Sequence, residues 1–181
     1  MTSVTLSAAL TIAAMLPVVA FSSASLAGDK DETFFRSVKG VWVGPGEIVA
    51  GKYKGTKFTC RLNGTTPSDK VGMTLDGSCR VGVFSQRMSA TVERRGRGYR
   101  GTFLDGAAGE GLDIVSGNVD SKKVTFSISR NQLNGAMSAR LPNKNAMNVS
   151  VSVKVDSQMV RVIAMDLKRV EGAAVAEIAQ E

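Results

Sequence analysis

Apolar and polar residues alternate with period two along most of the chain beyond residue 40. Met147, Val149, Val151, Val153 and Val155 alternate with Asn148, Ser150, Ser152 and Lys154. Val124, Phe126 and Ile128 alternate with Thr125, Ser127 and Ser129, and Met88, Ala90 and Val92 with Ser89, Thr91 and Glu93. Successive side chains of a strand point to opposite faces, so this pattern predicts strands with one face on a core and one in water. Ahead of them, Asp31 to Val38 predicts a short helix. The Ala-rich stretch from Glu171 to Glu181 reads as a short helix or a frayed end.

The gaps between the apolar runs carry turn chemistry: Asn63-Gly64, Asp76-Gly77, Arg95-Gly96-Arg97-Gly98, Asp105-Gly106, Asp120-Ser121, Asn134-Gly135, Pro142-Asn143 and Asp156-Ser157. Turns this closely spaced predict an antiparallel meander. The segments between them are 41–50, 56–63, 70–75, 78–84, 87–94, 99–104, 112–119, 123–130, 136–141, 146–155 and 158–170, with some pairs fused. The expected fold is all-β, an antiparallel meander of about eight to ten strands behind a short N-terminal helix. A sheet of so many short strands must close or stack to hide its edges. Aromatic residues are few, so the core of a closed barrel would rest on Val, Ile, Leu and Met.

The N-terminus is of a different kind. Leu6 to Phe21 is an unbroken run of apolar and small residues, with Pro17 inside it and the first charges at Asp29 and Lys30. Ser25 and Ala27 stand at minus three and minus one to Gly28, a small-x-small pattern that suits signal peptidase. The run is short for a membrane span. No Lys or Arg precedes it, and a retained anchor is the alternative. The expected organisation is a cleaved signal over residues 1–27, a helical segment over 28–38, a barrel-like domain over 39–170 and a tail over 171–181. Localisation is then periplasmic or secreted, and no transmembrane segment is expected in the mature chain.

Export changes the reading of the two cysteines. Cys60 and Cys79 both lie in the mature part, and in an oxidising compartment they are expected to form one disulfide, worth on the order of 3 kcal/mol. A tight hairpin at Asp76-Gly77 would put Cys79 opposite Thr74 and leave Cys60 on the far side of that strand. Cysteines two strands apart are nearly 10 Å from each other, beyond disulfide reach. Either Asp76-Gly77 is a bulge, or the Thr65–Asp69 loop shifts the register; the disulfide is kept and the hairpin doubted.

The chain has no His, which removes Ser-His-Asp and Cys-His nucleophile systems and nearly all catalytic zinc sites. Bonded cysteines leave no thiolate for catalysis or metal binding. Asp105, Glu110, Asp113 and Asp120 could in principle supply paired carboxylates, but turns and loop caps are their more ordinary use. The stretch Asp105 to Asp113 lacks the ligand alternation of a calcium loop and reads as a Gly-rich connector. No enzyme activity, metal or cofactor is expected.

Net charge is +7 and the pI about 9.7. Lys52, Lys54, Lys57 and Arg61 form one basic cluster, and Arg94, Arg95 and Arg97 another within an Arg/Gly run. Export makes nucleic acid an improbable reading of that run. Should the clusters share a face, Lys52, Lys54, Lys57, Arg94, Arg95 and Arg97 would form a surface for anionic envelope components. Another envelope protein is the other expected partner.

Gly40-Val41-Trp42-Val43-Gly44-Pro45-Gly46 opens the first strand. A Gly-x-Trp there resembles the opening of calycin-type barrels, the lipocalins, avidins and their relatives. The resemblance implies a Trp that plugs the closed end and an Arg from the last strand packed over it, Arg169 or Arg161 here. The glycine spacing also resembles the nitrobindin opening, whose haem is held by a His this chain lacks. Gly-x-Trp, with Thr59-Cys60-Arg61-Leu62 and a second Cys about twenty residues on, is similar to the bacterial alkaline-protease inhibitors. That likeness implies an inhibitory segment ahead of the barrel, Gly28 to Phe35. The whole resembles small exported proteins of α-proteobacteria. Three functions follow as expectations: a noncatalytic envelope protein with a structural or interaction role, a barrel holding a small apolar ligand, or a protease inhibitor.

Overall fold

A computed structural model describes residues 24–104 and 112–171. Helix α1 (Ala24–Ser37) precedes ten strands: β1 (Gly40–Ile48), β2 (Lys57–Thr65), β3 (Gly72–Val81), β4 (Phe84–Arg95), β5 (Gly98–Leu104), β6 (Leu112–Asp120), β7 (Lys123–Arg130), β8 (Leu133–Asn143), β9 (Ala146–Val155) and β10 (Gln158–Val170). Every neighbouring pair is antiparallel, and β1 pairs with both β2 and β10, so the meander closes into a barrel. The expected all-β fold with a short leading helix is what forms. Closure satisfies both edges of the sheet, which an open meander would leave bare.

Period-two alternation becomes inside and outside. Val124, Phe126 and Ile128 are buried within β7, as are Met147, Val149 and Val151 within β9. One apolar cluster takes residues from α1 and from all ten strands. The intervening Thr, Ser, Asn and charged residues face outward. Among the described residues no helix is long and apolar enough to cross a membrane.

Two expected turns are not turns: Asn63-Gly64 lies inside β2 and Asn134-Gly135 inside β8. Asp76-Gly77, where the hairpin was doubted, lies inside β3. The segments 70–75 and 78–84 accordingly fuse into β3, and the chain reverses at Gly82-Val83 instead. These glycines are needed for close approach. A Cβ on Gly77 would fall 2.1 Å from the Arg61 carbonyl oxygen, and one on Gly64 would fall 2.0 Å from the Val38 carbonyl oxygen. They mark where the wall is drawn tight, a usual device of small barrels.

The continuous β3 also resolves the disulfide register. Thr74 pairs with Thr65, and Cys79 stands directly opposite Cys60 with a Cα–Cα distance of 4.0 Å. The Cys60–Cys79 disulfide therefore joins neighbouring strands and lies inside the barrel, where both cysteines are buried.

Because strands alternate up and down, the two ends of the barrel are distinct. The helix, the starts of β1 and β3 and the β4–β5, β6–β7 and β8–β9 turns share one end. The β1–β2, β3–β4, β7–β8 and β9–β10 connections, with the ends of β5 and β6 flanking residues 105–111, share the other.

Candidate functional site

At the helix end the chain builds a plug. Phe34, Phe35 and Val38 turn into the barrel and are buried, as α1 packs against β3 and β6. Rings continue the contact inward: Phe34 to Phe35 at 5.9 Å, Phe35 to Tyr99 at 6.0 Å and Tyr99 to Phe126 at 5.6 Å, all edge-on. Trp42 is fully buried, and its indole Nε1 donates to the Val38 carbonyl at 2.8 Å.

Arg169, beside Trp42 in the β1–β10 register, lays its guanidinium 4.2 Å from the centre of that ring. The same guanidinium donates to the carbonyl of Ser37 at 2.7 Å, to that of Lys39, and to that of Lys144 at 2.9 Å. Two of those carbonyls lie in the last turn of α1 or just beyond it, where backbone acceptors lack helical partners and a cation is favoured. Burial lowers the Arg169 pKa and Glu171 opposes it; an arginine keeps its charge regardless. Gly40, at φ +112°, leaves room for it, since a Cβ there would fall 2.7 Å from the Arg169 guanidinium nitrogen. Of the two arginines expected over the indole it is therefore Arg169. Arg161 lies toward the other end of β10, exposed and opposite Ser152.

A polar tie secures the plug. Asp31 is the buried polar residue of α1, accepting a hydrogen bond from the Tyr99 hydroxyl and lying 3.4 Å from the Arg94 guanidinium. Burial pushes the Tyr99 hydroxyl well above its ordinary pKa of 10.0, and the Asp31 hydrogen bond and charge add to it while Arg94 opposes.

The opposite end, open in that no helix among the described residues covers it, has a different surface. Among the described residues, the large apolar side chains most exposed to solvent gather there. They are Tyr53 in the β1–β2 connection, Val81, Val83 and Phe84 at the β3–β4 turn, Leu104 at the end of β5, Leu133 at the start of β8, and Val155 and Met159 at the β9–β10 turn. Only Val115, part-way along β6, falls elsewhere. The β3–β4 turn is the most prominent. Beyond Arg80 its strands pair with each other and with nothing else, and Val83 and Phe84 are 90% and 78% exposed.

The expected anionic-partner surface does not assemble as one. Lys52, Lys54 and Lys57 lie at the open end, while Arg94, Arg95 and Arg97 lie at the helix end, where Arg94 faces Asp31 and Arg95 bonds Glu93 at 2.8 Å. The two clusters flank connections of opposite parity in an up-and-down barrel, which separates them by the full barrel length. The carboxylates are no closer to a pair. Asp113 and Asp120 stand at opposite ends of β6, about 23 Å apart by strand rise; Asp105 and Glu110 lie outside the described residues.

The exposed apolar rim and the Asp31–Tyr99 tie were not expected. A sequence signal for the rim exists in Val81-Gly82-Val83-Phe84 between Arg80 and Arg87. It reads equally well as the end of a buried strand.

No family model and no curated protein matches this sequence. Among solved structures, the chain is similar to a protein of unknown function from the DUF3598 family of Nostoc punctiforme PCC 73102. The TM-score is 0.48 at 12% identity, covering 75% of this chain and 49% of that one, so this chain spans about half its neighbour's length.

Proposed function

We propose that this protein is a noncatalytic interaction domain of the cell envelope that works through the open end of its barrel. The observation that carries this reading is the gathering of exposed apolar residues there, interleaved with Lys52, Lys54, Arg80 and Arg87. Patches of this kind on soluble domains mark interaction surfaces more often than isolated exposed residues do. The envelope assignment rests on the N-terminal apolar run with its small-x-small site and on the disulfide.

The two other expectations have less support. A carrier of a small apolar ligand needs room where the side chains of all ten strands meet. An inhibitor acting through Gly28 to Phe35 would have to pull Phe34 and Phe35 out of the core.

Site-directed labelling tests the reading. With Cys60 and Cys79 bonded to each other, a cysteine placed at Val83 or at Arg97 is the one reactive thiol. The expected result is slow maleimide labelling of Val83→Cys in the envelope fraction and fast labelling in purified protein, with Arg97→Cys fast in both. Equal labelling of the two positions in the envelope fraction would overturn the proposal.

A further inference from the structure

Resting on that reading, we infer that the partner of the open end is an anionic lipid surface, into which the β3–β4 turn and its neighbours dip. The shape of the site is the first reason. The apolar groups sit at separate turns, Val83 and Phe84 at one, Tyr53 at a second and Met159 at a third. A bilayer interface accepts separate tips at different azimuths, whereas a folded partner would need a complementary surface for each.

Spacing is the second. Arg80 stands one register position behind the Val81–Phe84 pair and Arg87 stands three behind it, so the two residues are set back about 3 Å and about 10 Å along the hairpin. Interfacial segments bury their apolar face about 5–10 Å into the boundary between headgroups and acyl chains. With the tip at that depth, Arg80 and Arg87 stand among the phosphates. Arg87 carries only a loose ion pair to Asp76, at 3.7 Å and largely in solvent. Tyr53 between Lys52 and Lys54 repeats the arrangement with an aromatic ring of the interfacial kind.

Charge is the third. The stretches 47–57, 80–87, 112–113, 130–133 and 154–161 bring eight Lys and Arg to this end against three carboxylates, Glu47, Asp113 and Asp156. The connection 105–111, outside the described residues, adds Asp105 and Glu110 to the sequence there and leaves the excess positive. Such an excess beside apolar tips favours anionic over zwitterionic lipid. The wall between the ends is polar outside and apolar inside, the reverse of a spanning barrel, so the domain rests on the surface and does not cross it.

Cosedimentation of the purified, disulfide-bonded protein with vesicles tests this, using phosphatidylcholine alone or mixed with phosphatidylglycerol. Binding is expected to the mixed vesicles, about tenfold weaker to phosphatidylcholine and reduced by salt. Val83→Asp with Phe84→Asp should weaken it about tenfold or more, and Arg97→Glu should change it less than about twofold. Phe84→Trp supplies a second readout that does not depend on a disruptive change: its emission should shift to the blue on mixed vesicles. Failure of the unsubstituted protein to bind mixed vesicles overturns the inference, as does equal loss with Arg97→Glu. A dimer that Val83→Asp dissolves, in protein that leaves vesicles unbound, overturns it in favour of a second copy. Protection of position 83 in the envelope without vesicle binding would sink the lipid inference and leave the interaction reading standing. Loss of both would sink both.

Discussion

The two ends of this barrel are made from the same alternating strands, yet they treat their aromatic residues in opposite ways. Trp42, near the start of β1, is fully buried under α1, bonded to the Val38 carbonyl and covered by Arg169. Phe84, at the start of β4, is 78% exposed on a hairpin that pairs with nothing beyond itself. Burial of a side chain this large stabilises a fold by roughly 1.5–3 kcal/mol, so one end has that contribution and the other forgoes it. What covers the helix end is part of the chain. At the open end the described residues leave Val83 and Phe84 uncovered. Stability is therefore concentrated at one end and availability for contact at the other.

The contrast is broken most forcefully at Trp42. Trp42→Ala removes a fully buried ring, leaves the Val38 carbonyl without its donor and takes the face from under Arg169. A loss of about 3–5 kcal/mol is expected, or a fall in Tm of about 6–20 °C for a domain of this size. Thermal and urea unfolding with the disulfide intact measure it. A loss below about 1 kcal/mol would show that the plug is not where the fold is held.

Tyr99→Phe is the next step down. It removes the hydroxyl that satisfies buried Asp31 and should cost about 1–3 kcal/mol at neutral pH. The pH dependence has a definite sign. Tyr99 is raised in the folded state above its ordinary 10.0, so the folded protein holds that proton more tightly than the unfolded chain. Its contribution is complete below pH 10 and is lost as the pH rises above 10 toward the folded value. Urea midpoints of the two proteins should therefore converge above about pH 10. A constant gap between them would mean that the hydroxyl is not held as described.

The strands were legible because alternation is a local property. Val124, Phe126 and Ile128 announce their face without reference to any other part of the chain. The pairing of Trp42 with a last-strand arginine was legible too, through Gly40 and Trp42. Choosing Arg169 over Arg161 required the register. Turns were misread for a physical reason. Glycine serves both where a chain reverses and where two strands press together, and the atom that decides between them comes from elsewhere. For Gly77 it is the Arg61 carbonyl, and for Gly64 the Val38 carbonyl.

The doubt that the disulfide cast on a hairpin at Asp76-Gly77 has a long reach. A split of β3 there would add a strand, and one added strand inverts the parity of every later connection. With the split, Lys52 and Arg95 fall at the same end of the barrel. Without it they fall at opposite ends, as observed. The exposed rim was hidden in the sequence because Val81-Gly82-Val83-Phe84 reads as the end of a buried strand over 78–84 and not as a tip. The Asp31–Tyr99 bond spans 68 residues and has no local signature.

The smallest expected effect is at Val83, and it is the most discriminating. Val83→Ser changes a residue 90% exposed at the tip of the hairpin, with Val81 and Phe84 paired behind it. No core contact is lost, so Tm and urea midpoint should stay within about 0.5 kcal/mol of the parent. Cosedimentation with the mixed phosphatidylcholine and phosphatidylglycerol vesicles should nevertheless weaken, because the substitution removes apolar surface from the contact and nothing from the fold. A stability loss above about 1 kcal/mol would place Val83 against other side chains in solution, and the two ends would then differ less than the structure has them. If stability and association are both unchanged, the contact is carried by the lysines and arginines around the rim. Substitutions at Arg80 and Arg87 would then show the loss that Val83 does not.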